Sequence, residues 1–301
     1  MSSLRVALAL GSGGARGYAH IGAIEEVLAR GHEIIAISGT SMGAMVGGLY
    51  GAGRLEPYTE WARSLTQRDV LRLLDPKWSA PGAIRAQRIF DQVEGLLGDQ
   101  LIEDLPIAFT AVATDLYARR EVWFQRGPLI SAIRASIAIP GVITPVEMNG
   151  RLLADGGLMN PVPIEPTAAA AADLTVAISL SGLRLPQEQS TPAREPAEPT
   201  WRDGLVGRVR RSVGRGGEQA APPPPPPPPS LLDELRISDV IGMSMDAMQG
   251  LISRYRMAGL PPDVLVTVPA SAARSLEFHR ASEMIDLGRQ LTAEALDAAG
   301  H

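Results

Sequence analysis

Ser41 lies in Gly39-Thr40-Ser41-Met42-Gly43, a G-x-S-x-G whose small neighbours permit a sharp turn that presents a serine hydroxyl. The chemistry served by such a turn is acyl transfer from an ester to serine, and that chemistry needs a base. The bland alternative for Ser41 is a helix N-cap. The order serine, carboxylate, histidine of an α/β-hydrolase leaves His279 and His301 among the chain's four histidines, because His20 and His32 precede Ser41. His301 is the last residue, where chains fray. His279 sits in a polar stretch without a motif and reads as a surface histidine.

Two other places could do chemistry. Asp155, in Asp155-Gly156-Gly157, is either a turn aspartate or a carboxylate held where glycines let backbone and substrate approach closely. Gly11-Ser12-Gly13-Gly14 stands between an apolar run and a helical pattern. Amides at such a turn point toward a negative charge, either a bound phosphate or an oxyanion, unless the glycines only allow helix to pack on strand. A dinucleotide fingerprint fails here, since Arg16 occupies its third glycine position and the second strand ends at Ser38 without an acidic residue.

The elements that must hold these residues follow from periodicity. Residues 4–10 are a buried-strand pattern, and Ile21, Ile24, Val27 and Leu28 then recur at helical spacing up to Gly31. "EIIAIS" predicts a second strand and "MGAMVGGLYGAG" a small-residue helix, the rhythm of a parallel, helix-covered sheet. Residues 56–100 read as helical, with "IRAQRIFDQVEGLLG" the clearest amphipathic piece. Strands are expected at "IAFTAVATDL", "REVWF", "RLLAD", "LTVAISL" and "PDVLVTVPA". Helices are expected at "LISAIRAS", "PIEPTAAAAAD", the long segment after residue 230 and residues 281–299. The methionines of that long helix, Met243, Met245 and Met248, read as core packing.

Between them, residues 184–230 hold 12 of the 25 prolines, eight in a row from Pro222 to Pro229. Such a segment cannot bury enough apolar surface to fold alone. The expected organisation is a catalytic core over 1–183, a Pro/Arg-rich linker or insertion over 184–230, and helices plus a strand over 231–301 completing the core.

Composition narrows the functions. A chain of 301 residues with net charge −5 argues against a nucleic-acid-binding body, and the lack of cysteine excludes disulfides, thiolate metal sites and cysteine catalysis. No metal and no cofactor is expected. The short apolar run before Gly11 reads as a strand rather than a secretory signal, so the expected location is cytoplasmic, with peripheral membrane contact left open. The sequence is silent on oligomeric state.

Taken together, the motifs resemble the patatin-like phospholipase family, specifically its bacterial single-domain members. The resemblance rests on Ser12-Gly13-Gly14-Ala15-Arg16-Gly17, Gly39-Thr40-Ser41-Met42-Gly43 and Asp155-Gly156-Gly157 in the family's order, with "GYAHIGAIEEV", "AVATDL", "RASIAIPGVITPV" and "MNPVPI" beside them. It covers residues 4–183 closely and 231–301 loosely. Ser12 departs from the family pattern, in which many members carry a first glycine of three.

The resemblance implies a three-layer α/β/α fold with a mostly parallel central sheet, and a Ser–Asp dyad that needs no histidine. It assigns Ser41 as nucleophile, Asp155 as base, and the amides of Gly13 and Gly14 as the oxyanion hole. Gly39, Gly43 and Gly156 shape the turns, while Arg16 supports the glycine loop or attracts a lipid phosphate. The implied activity is hydrolysis of phospholipid or another carboxylic ester. The competing expectation is a regulatory or adaptor protein, with little hydrolase activity, whose Pro-rich segment binds partners.

Overall fold

The computed structural model describes residues 3–73, 87–182 and 237–301. Those from 3 to 182 and from 241 onward belong to one compact unit. The Pro/Arg-rich segment, and with it the adaptor expectation, lies outside the described residues.

The strands are β1 (Arg5–Leu10), β2 (Glu33–Thr40), β3 (Ala108–Asp115), β4 (Arg120–Phe124), β5 (Val146–Met148), β6 (Arg151–Asp155), β7 (Leu174–Gly182) and β8 (Val264–Pro269). The helices are α1 (Ala19–Ala29), α2 (Met42–Gly51), α3 (Leu55–Ser64), α4 (Gln67–Leu73), α5 (Gln87–Leu97), α6 (Leu129–Ser136), α7 (Ile237–Gly259) and α8 (Ala281–Ala298). Hydrogen-bonded neighbours in the sheet run β5, β6, β3, β2, β1, β7, β8, with β4 also on β3. The pairs among β3, β2, β1, β7 and β8 are parallel, and those involving β4, β5 and β6 are antiparallel.

Alternation along the central strands explains the layers. Val6, Leu8 and Leu10 of β1, with Val176, Ile178 and Leu180 of β7, face a large core shared with Ile21 and Ile24 of α1, Val46 and Leu49 of α2, and Met284 and Ile285 of α8. Ala9 and Ala177 face the other way, onto Val162, Ile164 and the α7-side residues Met257 and Leu260. Helices thus flank a mostly parallel sheet on both faces, the three-layer α/β/α architecture.

Two local expectations are corrected. "PIEPTAAAAAD" is not a helix: only a single 3-10 turn, Glu165–Thr167, forms there. Five alanines lack a large apolar face to bury, and Asp173 binds Arg5 at both its amide and its carboxylate, drawing the chain into β7. Nor is the methionine stripe of α7 fully core: Met248 is 54% exposed, and Met243 and Met245 are only partly buried.

Candidate active site

The register of β3 brings the two candidate side chains together. β4 pairs with β3 over Ala111–Asp115. A strand has two edges, so β2, paired over Ala108–Val112, and β6, paired over Ala113–Asp115, must share the other edge end to end. β2 is parallel to β3 and β6 antiparallel, so they run toward each other. Thr40 lies opposite Val112 and Asp155 opposite Ala113. Ser41 follows Thr40, at the meeting point.

Ser41 has φ 57° and ψ −122°, a left-handed conformation that a serine adopts only when its surroundings enforce it. The enforcement is steric and polar. A Cβ on Gly43 would lie 2.0 Å from the Leu10 carbonyl oxygen, and one on Gly39 would lie 2.4 Å from the Gly43 carbonyl carbon, so both flanking positions admit only glycine. The Ser41 N–H donates to the Ser136 hydroxyl at 2.8 Å, and that hydroxyl donates to the Val112 carbonyl at 2.6 Å. Beneath, the Thr40 hydroxyl donates to the Asn160 carbonyl at 2.8 Å, tying the end of β2 to the segment after Asp155.

Asp155 is buried. Its Oδ1 accepts the Gly157 N–H at 2.7 Å. Its Oδ2 makes no well-formed hydrogen bond among the described residues. Burial raises the carboxyl to about 6, and the nearby Ser41 hydroxyl and the Gly157 N–H oppose that rise. Gly156 sits where a Cβ would press on the Val112 carbonyl.

The glycine loop leaves β1. Its flanking amides are engaged: Gly11 donates to Ile178, Ser12 to Pro161 and Ala15 to Ser275, all at carbonyls. Among the described residues the N–H groups of Gly13 and Gly14 donate to nothing. Arg16 is 2% exposed, and its guanidinium bonds Asp246 at 2.9 Å and the Ala270 carbonyl at 3.1 Å. His20 lies under the same loop. Its Nε2–H donates to the Gly11 carbonyl at 2.8 Å, and burial lowers its pKa to about 4, so the ring is neutral.

Ser41 and Gly14 open onto a pocket whose walls are almost wholly apolar. Met42, Met45, Trp61, Ile89, Phe90 and Ile139 are among its walls, and no histidine is. Tyr18 and Tyr58 line it too, with ring centroids 6.3 Å apart and both hydroxyls pushed to higher pKa by burial.

Sequence reasoning named Ser41, Asp155, Gly13, Gly14, Gly39, Gly43, Gly156 and Arg16, and all eight cluster here. It missed Ser136, which appeared only inside a helical pattern, and Gln249, whose side-chain oxygen accepts the Ser12 hydroxyl and so joins segments 237 residues apart. Neither position carries a local signal.

The family model for patatin-like phospholipase matches residues 8–168. An uncharacterized NTE family protein of Mycobacterium bovis is 47% identical over 339 residues, covering 99% of this chain and 92% of that protein, and one of Mycobacterium tuberculosis H37Rv gives the same figures. Patatin-like phospholipase domain-containing protein 6 of Mus musculus is 32% identical over 183 residues, 58% of this chain and 13% of that protein. Among solved structures, VipD from Legionella pneumophila matches with a TM-score of 0.48 and 13% identity, over 99% of this chain and 67% of its own. With the family model spanning more than half of its length and relatives 47% identical across nearly all of it, this chain belongs to the patatin-like phospholipase family.

Proposed function

We propose that this protein is a serine lipid acyl hydrolase, acting on a carboxylic ester of a phospholipid or related lipid through Ser41 and Asp155. The observation that carries the reading is a buried carboxylate, whose Oδ2 makes no well-formed hydrogen bond among the described residues, near the hydroxyl of a serine strained at the tip of its turn. The family membership supports the substrate class, and the apolar pocket beginning at Ser41 suits an acyl chain. In this reading residues 1–183 and 231–301 make up the catalytic domain and 184–230 an insertion.

The steps follow from the groups present. Asp155, ionised above about pH 6, takes the proton of Ser41 as Oγ bonds the ester carbonyl carbon. The Gly13 and Gly14 amides, which donate to nothing else among the described residues, hold the resulting oxyanion, each donor worth roughly 10²–10³ in rate. Collapse breaks the ester bond, and Asp155 returns the proton to the leaving alcohol. Water then attacks the acyl-serine and gives a proton to Asp155. A second collapse frees the fatty acid and passes that proton to Ser41 Oγ.

The test is covalent labelling by a fluorophosphonate, joined to hydrolysis of a medium-chain ester. Wild type should label and turn over, whereas Ser41→Ala should do neither and Asp155→Asn should label poorly. Equal hydrolysis by wild type and Ser41→Ala would end the proposal.

A further inference from the structure

One face of α7 touches both the glycine loop and the segment that follows Asp155. Asp246, Gln249, Ser253 and Arg256 recur at the three- and four-residue spacing of a single helical stripe. Asp246 holds Arg16 at 2.9 Å. Arg256 donates to the Met159 carbonyl at 3.3 Å, to Glu165 at 2.9 Å and to Glu121 at 2.7 Å, gripping the segment that follows Asp155. Between them Gln249 Oε1 accepts the Ser12 hydroxyl at 3.1 Å. A Cβ on Gly157 would lie 2.7 Å from Gln249 Nε2, 2.7 Å from Ser12 Oγ and 2.9 Å from Asp155 Oδ1, so the Gln249 amide fills the crevice between the glycine loop and the Asp-Gly-Gly turn.

Those two loops leave β1 and β6, strands that are not hydrogen-bonded to each other. The sheet therefore does not fix the oxyanion donors directly against the base. Ser12, where the chain departs from the three-glycine loop of its family, supplies the hydroxyl that Gln249 holds. We propose that Gln249 is a positioning residue which, through Ser12, keeps the Gly13–Gly14 loop in register with Asp155 during acyl transfer. This rests on the assignment of Ser41 and Asp155 as the dyad.

The experiment uses the full chain and a water-soluble ester, with Ser12→Ala, Gln249→Ala, their combination and Gln249→Glu, and a melting temperature for each. Either single truncation should lower kcat about tenfold at nearly constant KM, since small misplacements cost that much or more. The double variant should be no worse than the poorer single, as expected for partners in one interaction. Gln249→Glu can still accept the Ser12 hydroxyl but sets a negative charge beside Asp155, so the acidic limb of its pH–rate profile should move to higher pH. If Gln249→Ala melts early, Gln249→Met replaces it, keeping the bulk without the polar atoms.

Activity within twofold of wild type, multiplying losses in the double variant, or an unmoved acidic limb would each overturn the inference alone. Absence of Ser41-dependent turnover in wild type would instead overturn the dyad, and this inference with it.

Discussion

The hydroxyl of Ser136 bridges the amide of Ser41 to the carbonyl of Val112, accepting at 2.8 Å and donating at 2.6 Å. A residue at the end of α6 thus holds the backbone of the proposed nucleophile against β3. In Ser136→Ala a buried N–H and a buried carbonyl lose their shared partner, which costs about 1–3 kcal/mol. The strained turn then relaxes. Fluorophosphonate labelling should slow roughly 10- to 100-fold with KM nearly unchanged. A variant that labels at the wild-type rate would show that the turn holds without Ser136.

Asp155 also sets a pH dependence. Its carboxyl titrates near 6 because it is buried, and only the ionised form can accept the Ser41 proton. Hydrolysis of a soluble ester should therefore rise with pH through about 6 and level off above it. A limb near 4 would mean that the base is solvated or is another group.

The same burial has an opposite effect on stability. A carboxyl raised from 3.8 to about 6 on folding favours the folded state fully only below the unfolded value, and that contribution is lost as pH rises through 6. Above pH 6 the buried charge costs about 3 kcal/mol. Asp155→Asn, neutral at every pH, should melt about 5 °C or more above wild type at pH 7.5, and the gap should close below about pH 4. Calorimetry at the two pH values reads this directly, and a gap that does not vary with pH would contradict it.

The pocket walls predict chain-length selection. Ile89 is one of the apolar walls of the pocket. Ile89→Trp should occupy space needed by a long acyl group. KM for long-chain nitrophenyl esters should rise several-fold while short-chain esters are hydrolysed as before. Equal effects on both would place the acyl chain elsewhere.

The elements carrying the motifs were legible because each combines a strong local pattern with obligatory glycines: the apolar runs of β1 and β2 and the glycines around Ser41 all point one way. What escaped was decided by distant partners. The alanine run after Pro166 has high helix propensity, yet Asp173 is claimed by Arg5 and the run has little to bury. Met248 follows helical spacing with Met245, but that spacing does not say which side of α7 meets the sheet. Ser136 and Gln249 are ordinary polar residues in helices. Their significance comes from hydrogen bonds to residues 95 and 237 positions away.

The head-on meeting of β2 and β6 along one edge of β3 has a consequence for how such a protein can diverge. The separation of Ser41 from Asp155 is measured by peptide groups, as the step from Val112 to Ala113, and not by the side chains around it. Pocket walls can therefore be exchanged residue by residue, altering which substrates fit, while the proposed pair stays where it is. The arrangement is brittle toward changes of length. Slipping β6 by a single residue against β3 would turn its side chains to the opposite face of the sheet and point Asp155 away from Ser41. Substitutions can tune such a catalyst; insertions and deletions in these strands can only break it.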